Sequence, residues 1–196
     1  MGKKFLVVAG LVCVGIAGRL LPHAPNTTPI TAITIAAQKH IGKWRAFAVP
    51  MVAMVASDAV LGFYDWKILA SVYGSFLLIG LLGRYMRKYS SALAVGGLVV
   101  SASVLFFLIT NATVWLFSPW YEKSLSGLLY SYTLGLPFLR NMLLGDLVYT
   151  FALLGMFNLS SAKMAAATER LLLLAAKWWP VPLPRSMRKS PNSSGW

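Results

Sequence analysis

Three polar side chains that could bind a ligand stand close together in an otherwise apolar stretch, "RNMLLGDLVYT" at residues 140–150: Arg140, Asn141 and Asp146. The chain has only five acidic residues, and a carboxylate inside a membrane segment costs about 2.5–3.5 kcal/mol on insertion scales. Asp146 must therefore face a partner, a cavity or water. Arg140 lies about 240° around a helix from Asp146, so each needs a partner on another element.

Two other apolar stretches and one loop carry similar groups. Asp58 lies in "VPMVAMVASDAVLGFYDW", and Asn111 lies in "LFFLITNATVWLF" on the same helical face as Trp115. Asn26 belongs to the Pro-rich "LPHAPNTTP", which also contains His23. Carboxylates and amides can orient a small ligand, and Trp115 can stack on a flat one. The candidate ligand-binding residues are Asn26, Asp58, Asn111, Trp115, Arg140, Asn141 and Asp146.

The same residues have a structural alternative that the sequence leaves open. Asp58 and Asp146 can pair with Arg19 and Arg140 and fix helix packing, while Asn111 can hydrogen-bond between helices. Trp and Tyr side chains also form belts at every membrane interface. For catalysis the sequence offers no HExxH, no P-loop and no Cys/His cluster. We therefore expect no enzyme activity, no metal and no cofactor.

The elements that position these residues are six apolar segments, and the chain is 58% hydrophobic with a mean hydropathy of +0.68. This composition is typical of an integral membrane protein. We predict an all-α bundle of six transmembrane helices. The segments cover about residues 5–21, 30–41, 47–63, 68–82, 92–117 and 141–157.

Basic residues predict the orientation of this bundle, because Lys and Arg accumulate in cytoplasmic loops. With both termini cytoplasmic, all but four of the 18 Lys and Arg residues fall on the cytoplasmic side. The exceptions are Arg19, Lys67, Lys123 and Arg140. The net charge of +13 is therefore explained by topology and lipid headgroups, and nucleic acid is not an expected partner.

Two regions outside the six segments have their own patterns. "SPWYEKSLSGLLYSYTLGLPF" is too polar to cross alone, which favours an outer-surface helix or re-entrant piece that ends at Pro137. After the membrane domain, residues 1–157, we predict a helix along the inner membrane surface at 158–180. The basic, Pro- and Ser-rich residues 181–196 are predicted to be a disordered tail that contacts lipids.

Depth along the predicted helices brings three of the polar residues together. Each lies six residues from the residue that marks the outer boundary of its segment, about 9 Å beneath it: Asp58 from Tyr64, Asn111 from Phe117 and Asp146 from Arg140. The loop that contains Asn26 caps the same side. The sequence therefore predicts a polar pocket in the outer half of the membrane, beneath a loop that could close it.

Motifs along residues 18–155 carry a family resemblance, chiefly "RLLPHAPNTTPITAITIAA", "VYGSFLLIGLLGR" and "LPFLRNMLLGDLVYTFALLG". Together with the two stretches around Asp58 and Asn111, they resemble a family of small bacterial membrane proteins generally labelled as candidate transport proteins. That family is in turn more distantly similar to the substrate-binding S components of energy-coupling factor (ECF) transporters.

The resemblance implies a multi-pass protein of the bacterial inner membrane that binds a vitamin or other micronutrient in an outward-facing pocket. It also implies separate energising subunits, although the Ala-x-x-x-Ala spacing typical of the first helix occurs here at Ala32 and Ala36. A carrier that works alone therefore stays an alternative. From a different class, the protein could be a structural or accessory subunit of a larger membrane complex.

Overall fold

The computed structural model describes residues 2–42, 44–87 and 91–178, and these ranges contain helices and loops but no strand. The helices are α1 (Gly2–Leu20), α2 (Ile30–His40), α3 (Arg45–Leu61), α4 (Trp66–Gly83), α5 (Ala92–Phe117) and α6 (Leu125–Trp178). A short 3-10 helix, Arg84–Arg87, follows α4. The prediction of an all-α protein is confirmed.

Local chemistry explains where several helices begin and end. α3 ends at Gly62, whose positive φ of 96° favours glycine, and whose N–H donates to the Asp58 carbonyl. α4 begins after Asp65, whose carboxylate accepts a hydrogen bond from the Lys67 N–H. Ser91 caps α5 in the same way by accepting from the Ala94 N–H. These side chains satisfy backbone donors that have no partner within the helix.

Three helical stretches of the described chain are long and apolar enough to cross a membrane: α4, α5 and residues Leu125–Asn158 of α6. Large apolar side chains lie exposed on all three, for example Leu81 at 46%, Leu93 at 88% and Val148 at 67% of full exposure. Lipid accommodates such a surface better than water does. These are the features of a membrane protein.

The short helix α2 forms the centre of the packing. Every residue from Ile30 to Gln38 is buried, and α2 contacts α1, α3, α4 and α5. Small side chains such as Ala32 and Ala36, both at most 1% exposed, let neighbouring helices approach closely. Because residues 30–38 of α2 are enclosed by other helices, their polar members Thr31, Thr34 and Gln38 lie inside the protein.

The contact between α1 and its neighbours depends on Gly15. A Cβ at this position would lie 2.6 Å from the Ile33 Cδ1 atom and 2.8 Å from the Ala53 Cβ atom. The backbone of α1 thus lies directly against α2 and α3. This packing places the last turn of α1, including Arg19, beside the last turn of α3.

The structure corrects the prediction for Pro137. The residues before it do not form a separate helix that ends there, because α6 is continuous from Leu125 to Trp178 with Pro137 inside it. Its first turns pack on α5: Ser131 donates to the Asn111 carbonyl and Tyr132 to the Leu108 carbonyl. These contacts stabilise the helix around a residue that lacks a backbone donor.

The chain divides into two units, residues 1–154 and 155–196. The first contains α1 to α5 and the part of α6 that carries Asp146. In the second, residues 155–178 are helical, and they include most of the helix predicted at 158–180. The predicted tail, residues 181–196, lies outside the described residues.

Candidate functional site

A cavity of about 420 Å³ lies among the helices of the first unit. Its polar wall includes Arg19 from α1, Asp146 from α6, and His23 and Asn26 from the loop between α1 and α2. The remaining wall is largely apolar. The other lining residues are Thr28, Ile30, Thr31, Met54, Leu61, Tyr64, Val72, Phe76, Phe106 and Met142.

Asp146 is the deeply buried acid of this cavity, with a side chain only 2% exposed. The Ser103 hydroxyl donates to its Oδ2 atom at 2.7 Å, and the Thr31 hydroxyl is a further hydrogen-bond partner. Asp146 therefore joins α6 to α5 and α2. In the described part of the chain, no Lys or Arg forms an ion pair with it, so the ion-pair alternative is not found for Asp146.

Asp58 has a different environment. Its Oδ1 atom lies 2.6 Å from a guanidinium nitrogen of Arg19, and its Oδ2 atom accepts a hydrogen bond of 2.8 Å from the Tyr73 hydroxyl. Arg19 also donates to the Ser57 hydroxyl at 2.9 Å. Asp58 is only 1% exposed and does not line the cavity. It fixes α1, α3 and α4 together, as the structural alternative for this residue predicted.

The loop between α1 and α2 lies over α6. The Asn141 side chain donates to the Pro25 carbonyl at 3.4 Å, and a Cβ on Gly145 would lie 2.6 Å from the Thr27 Cγ2 atom. Asn26 adopts a positive φ of 59°, an accessible conformation for Asn in a tight turn. Asn141 thus holds the loop, while Asn26 lines the cavity directly.

The other three candidates lie away from the cavity wall. Asn111 donates its side-chain N–H to the Phe107 carbonyl at 2.9 Å, and Trp115 donates its indole N–H to the Glu122 carbonyl at 2.8 Å. Arg140 is exposed on α6. Along the helices, Asn111 lies at the depth of Ser131 of α6, which donates to its carbonyl. Asp146 lies at the depth of Ser103 of α5, which donates to its carboxylate. Since Asn111 and Ser103 are eight residues apart on α5, the expected common depth is wrong by about 12 Å.

Several lining residues were not identified from the sequence. The Phe76 and Phe106 rings pack 5.1 Å apart at 45°, between α4 and α5. Thr31 could have been identified from the sequence by the spacing of the polar residues in α2. Thr31, Thr34 and Gln38 recur at spacings of three and four residues, which places a polar stripe on one side of an otherwise apolar helix.

Tyr64, in the loop after α3, brings a neutral hydroxyl to the cavity. Burial, assisted by the negative charge of Asp58, raises the pKa of Tyr64 above its ordinary value of 10.0, although Arg19 acts in the opposite direction. The phenol is therefore protonated at neutral pH. It can donate or accept a hydrogen bond without adding charge.

A family model described as a family of unknown function, DUF6580, matches residues 1–169. The chain belongs to this family. No curated protein and no solved structure matches the sequence. In this DUF6580 protein every residue that lines the cavity falls within the matched range. The cavity is thus a feature of the part of the chain that the family model covers.

Proposed function

We propose that this DUF6580 protein is the substrate-binding membrane subunit of a small-molecule importer, with a micronutrient as its substrate. The observation that carries the proposal is the cavity of about 420 Å³ with Asp146 in its wall. Ligand sites in proteins typically have about 300–1,000 Å³, an apolar lining and a few convergent polar groups. The cavity has the size and the lining expected for one small molecule.

The proposed topology is a six-helix membrane domain in the bacterial inner membrane, with both termini cytoplasmic. In it the loops at residues 21–29, 62–65 and 118–124 face outward. α2 has only 11 residues, about 16 Å of helix, and cannot span the hydrocarbon core of about 30 Å alone. The burial of its residues 30–38 among other helices supports its place in the membrane, because protein rather than lipid surrounds this stretch.

In the proposed cycle, substrate enters from the outer side, the loop at residues 22–29 closes over it, and repacking of the helices releases it inward. The contact between Asn141 and the Pro25 carbonyl supports a closed position of this loop. The sequence has no P-loop, so energy from ATP would come from separate subunits. The resemblance to ECF S components implies such partners, whereas the Ala-x-x-x-Ala spacing, which lies in α2 at Ala32 and Ala36, leaves a solitary carrier as the alternative.

Native mass spectrometry of gently extracted protein tests the binding function. We expect a discrete small-molecule adduct on the wild-type protein, lost in Asp146→Asn and retained in Glu122→Gln. Glu122 is exposed in the loop before α6, so this control removes a carboxylate charge outside the cavity. A wild-type protein free of any adduct, or an adduct that Asp146→Asn leaves intact, would argue against the assignment.

Cysteine labelling in intact cells tests the topology. In a Cys13→Ser background, a membrane-impermeant maleimide should label Glu122→Cys but should reach Arg84→Cys only after the cells are broken. Both positions are exposed, so a difference in labelling reports the side of the membrane. Labelling of Arg84→Cys in intact cells would overturn the proposed orientation.

The second candidate is a structural or accessory subunit of a larger membrane complex. The ion pair of Arg19 and Asp58 favours it, since one of the predicted pocket residues acts as an interhelical lock. Under this function, Asp146→Asn should lower stability without selective loss of a ligand. Large protein partners with no small adduct in native mass spectra would support this candidate over the importer.

A further inference from the structure

The titratable groups that line the cavity are Arg19, His23, Tyr64 and Asp146. Both terminal nitrogens of the Arg19 guanidinium already have partners, because Nη2 donates to Asp58 and Nη1 donates to the Ser57 hydroxyl. The two opposite charges of this pair offset each other. Asp146 is the acidic group of the cavity, and in the described part of the chain no Lys, Arg or His forms an ion pair with it.

The contacts of Asp146 leave its carboxylate able to accept more hydrogen bonds. Its partners on α5 and α2 are the hydroxyls of Ser103 and Thr31, and neither carries a charge. A carboxylate can accept about four hydrogen bonds. A buried carboxylate is strongly favoured by an opposite charge nearby, and a ligand in the cavity is in position to supply it.

The rest of the wall fits an apolar body. Met54, Val72 and Met142 line the cavity together with the packed rings of Phe76 and Phe106. Aromatic faces also attract cations, and methionine adapts to irregular shapes. An anionic ligand would meet Asp146 while the guanidinium of Arg19 is occupied by Asp58, so the charge distribution disfavours anions.

We propose that the ligand is an organic cation, an ammonium or other nitrogen cation on an apolar body, whose positive charge contacts Asp146. This inference rests on the proposed substrate-binding function and narrows its substrate class. In this proposal Asp146 contacts the positive charge of the ligand, while Phe76, Phe106 and the methionines contact its apolar part.

Three probes that share a phenyl-alkyl body and differ in charge test the inference: phenethylammonium, phenethyl alcohol and phenylpropanoate. Their binding to the purified full-length protein is measured by isothermal titration calorimetry. Wild-type protein should bind the ammonium at least about 30-fold more tightly than the alcohol, as expected for one partner of a buried charged pair. The carboxylate should bind weakest.

The variants separate charge recognition from folding. Asp146→Asn should bind phenethylammonium and phenethyl alcohol equally, whereas Glu122→Gln should keep the wild-type preference. If Asp146→Asn fails to fold, the ranking of the three probes on the wild-type protein still decides the charge of the ligand. Equal binding of all three probes, tighter binding of phenylpropanoate, or binding of none overturns the inference. A native adduct that is neutral or anionic would overturn it as well, while leaving the importer proposal standing.

Discussion

The buried network around Asp58 offers a quantitative test of the packing. Asp58→Leu removes the acceptor of both the Arg19 guanidinium and the Tyr73 hydroxyl, which lie 2.6 Å and 2.8 Å from its oxygens. Arg19 is only 15% exposed, so water compensates it poorly. Breaking a buried pair by removing one partner costs about 3–5 kcal/mol. We therefore expect Asp58→Leu to destabilise the protein by about 4 kcal/mol.

Thermal unfolding in detergent, followed by tryptophan fluorescence, measures the effect. For a chain of this length about 1 kcal/mol corresponds to about 2–4 °C in Tm, so Asp58→Leu should lower Tm by about 8–16 °C. The single variant Tyr73→Phe leaves the ion pair intact. It should lower the free energy of unfolding by only about 1.5–3 kcal/mol, the range for a hydrogen bond to a charged group.

The decisive comparison is the triple variant Arg19→Met, Asp58→Leu, Tyr73→Phe. It removes every member of the network that would otherwise be buried without a partner. Apolar replacement of a complete buried ion pair is often neutral, so the triple variant should recover most of the lost stability. The reasoning is refuted if Asp58→Leu melts within about 2 °C of wild type, or if the triple variant is no more stable than the single one.

Three further predictions concern other contacts. Gly15→Ala should lower the free energy of unfolding by about 1–3 kcal/mol, because the added methyl group overpacks against α2 and α3. Gly10→Ala is the control: a Cβ there meets nothing within 4 Å, so the change should be neutral or stabilising by up to about 1 kcal/mol. A Tm that is lower for Gly10→Ala than for Gly15→Ala would contradict the packing of α1. Gln38→Met should raise stability by about 1–2 kcal/mol, because both amide atoms of Gln38 are buried without a hydrogen-bond partner, and a lower Tm would argue against this. Asn141→Ala should speed hydrogen exchange in the loop at residues 21–29 with little change in Tm, since it removes the contact with Pro25; unchanged exchange would show that this contact does not hold the loop.

The sequence predicted helix bounds closely where proline or glycine marks the adjoining loops. The segment predicted at residues 92–117 coincides with α5, and the one predicted at 30–41 differs from α2 by a single residue. Proline and glycine at the loops end helices for local steric reasons, so a sequence pattern detects them. Pro137 misled the prediction because packing on α5, which the sequence does not display, stabilises α6 around it.

The site was predictable only in part. Depth along the helices placed Asn26 and Asp146 in one region, and both line the cavity. The same argument failed for the depth of Asp146 relative to Asn111, since it assumed that α6 begins near Arg140 rather than at Leu125. An error in one helix boundary shifted the expected depth by about 12 Å, which is about two helical turns. Helix rotation, which selects the residues that face inward, depends on contacts between distant segments.

The two buried aspartates, Asp58 and Asp146, illustrate what the structure adds to the sequence. Both occupy apolar segments near a glycine, and the sequence offers each the same two functions, ion-pair lock or ligand contact. In the structure both oxygens of Asp58 are used, one by a cation and one by a phenol, whereas the described contacts of Asp146 are with neutral hydroxyls beside a cavity. An acid that holds helices together needs an opposite charge from the protein itself, whereas an acid in a binding site can receive that charge from the ligand. The distinction predicts different outcomes for the same substitution, with Asp58→Asn acting mainly on Tm and Asp146→Asn acting mainly on affinity.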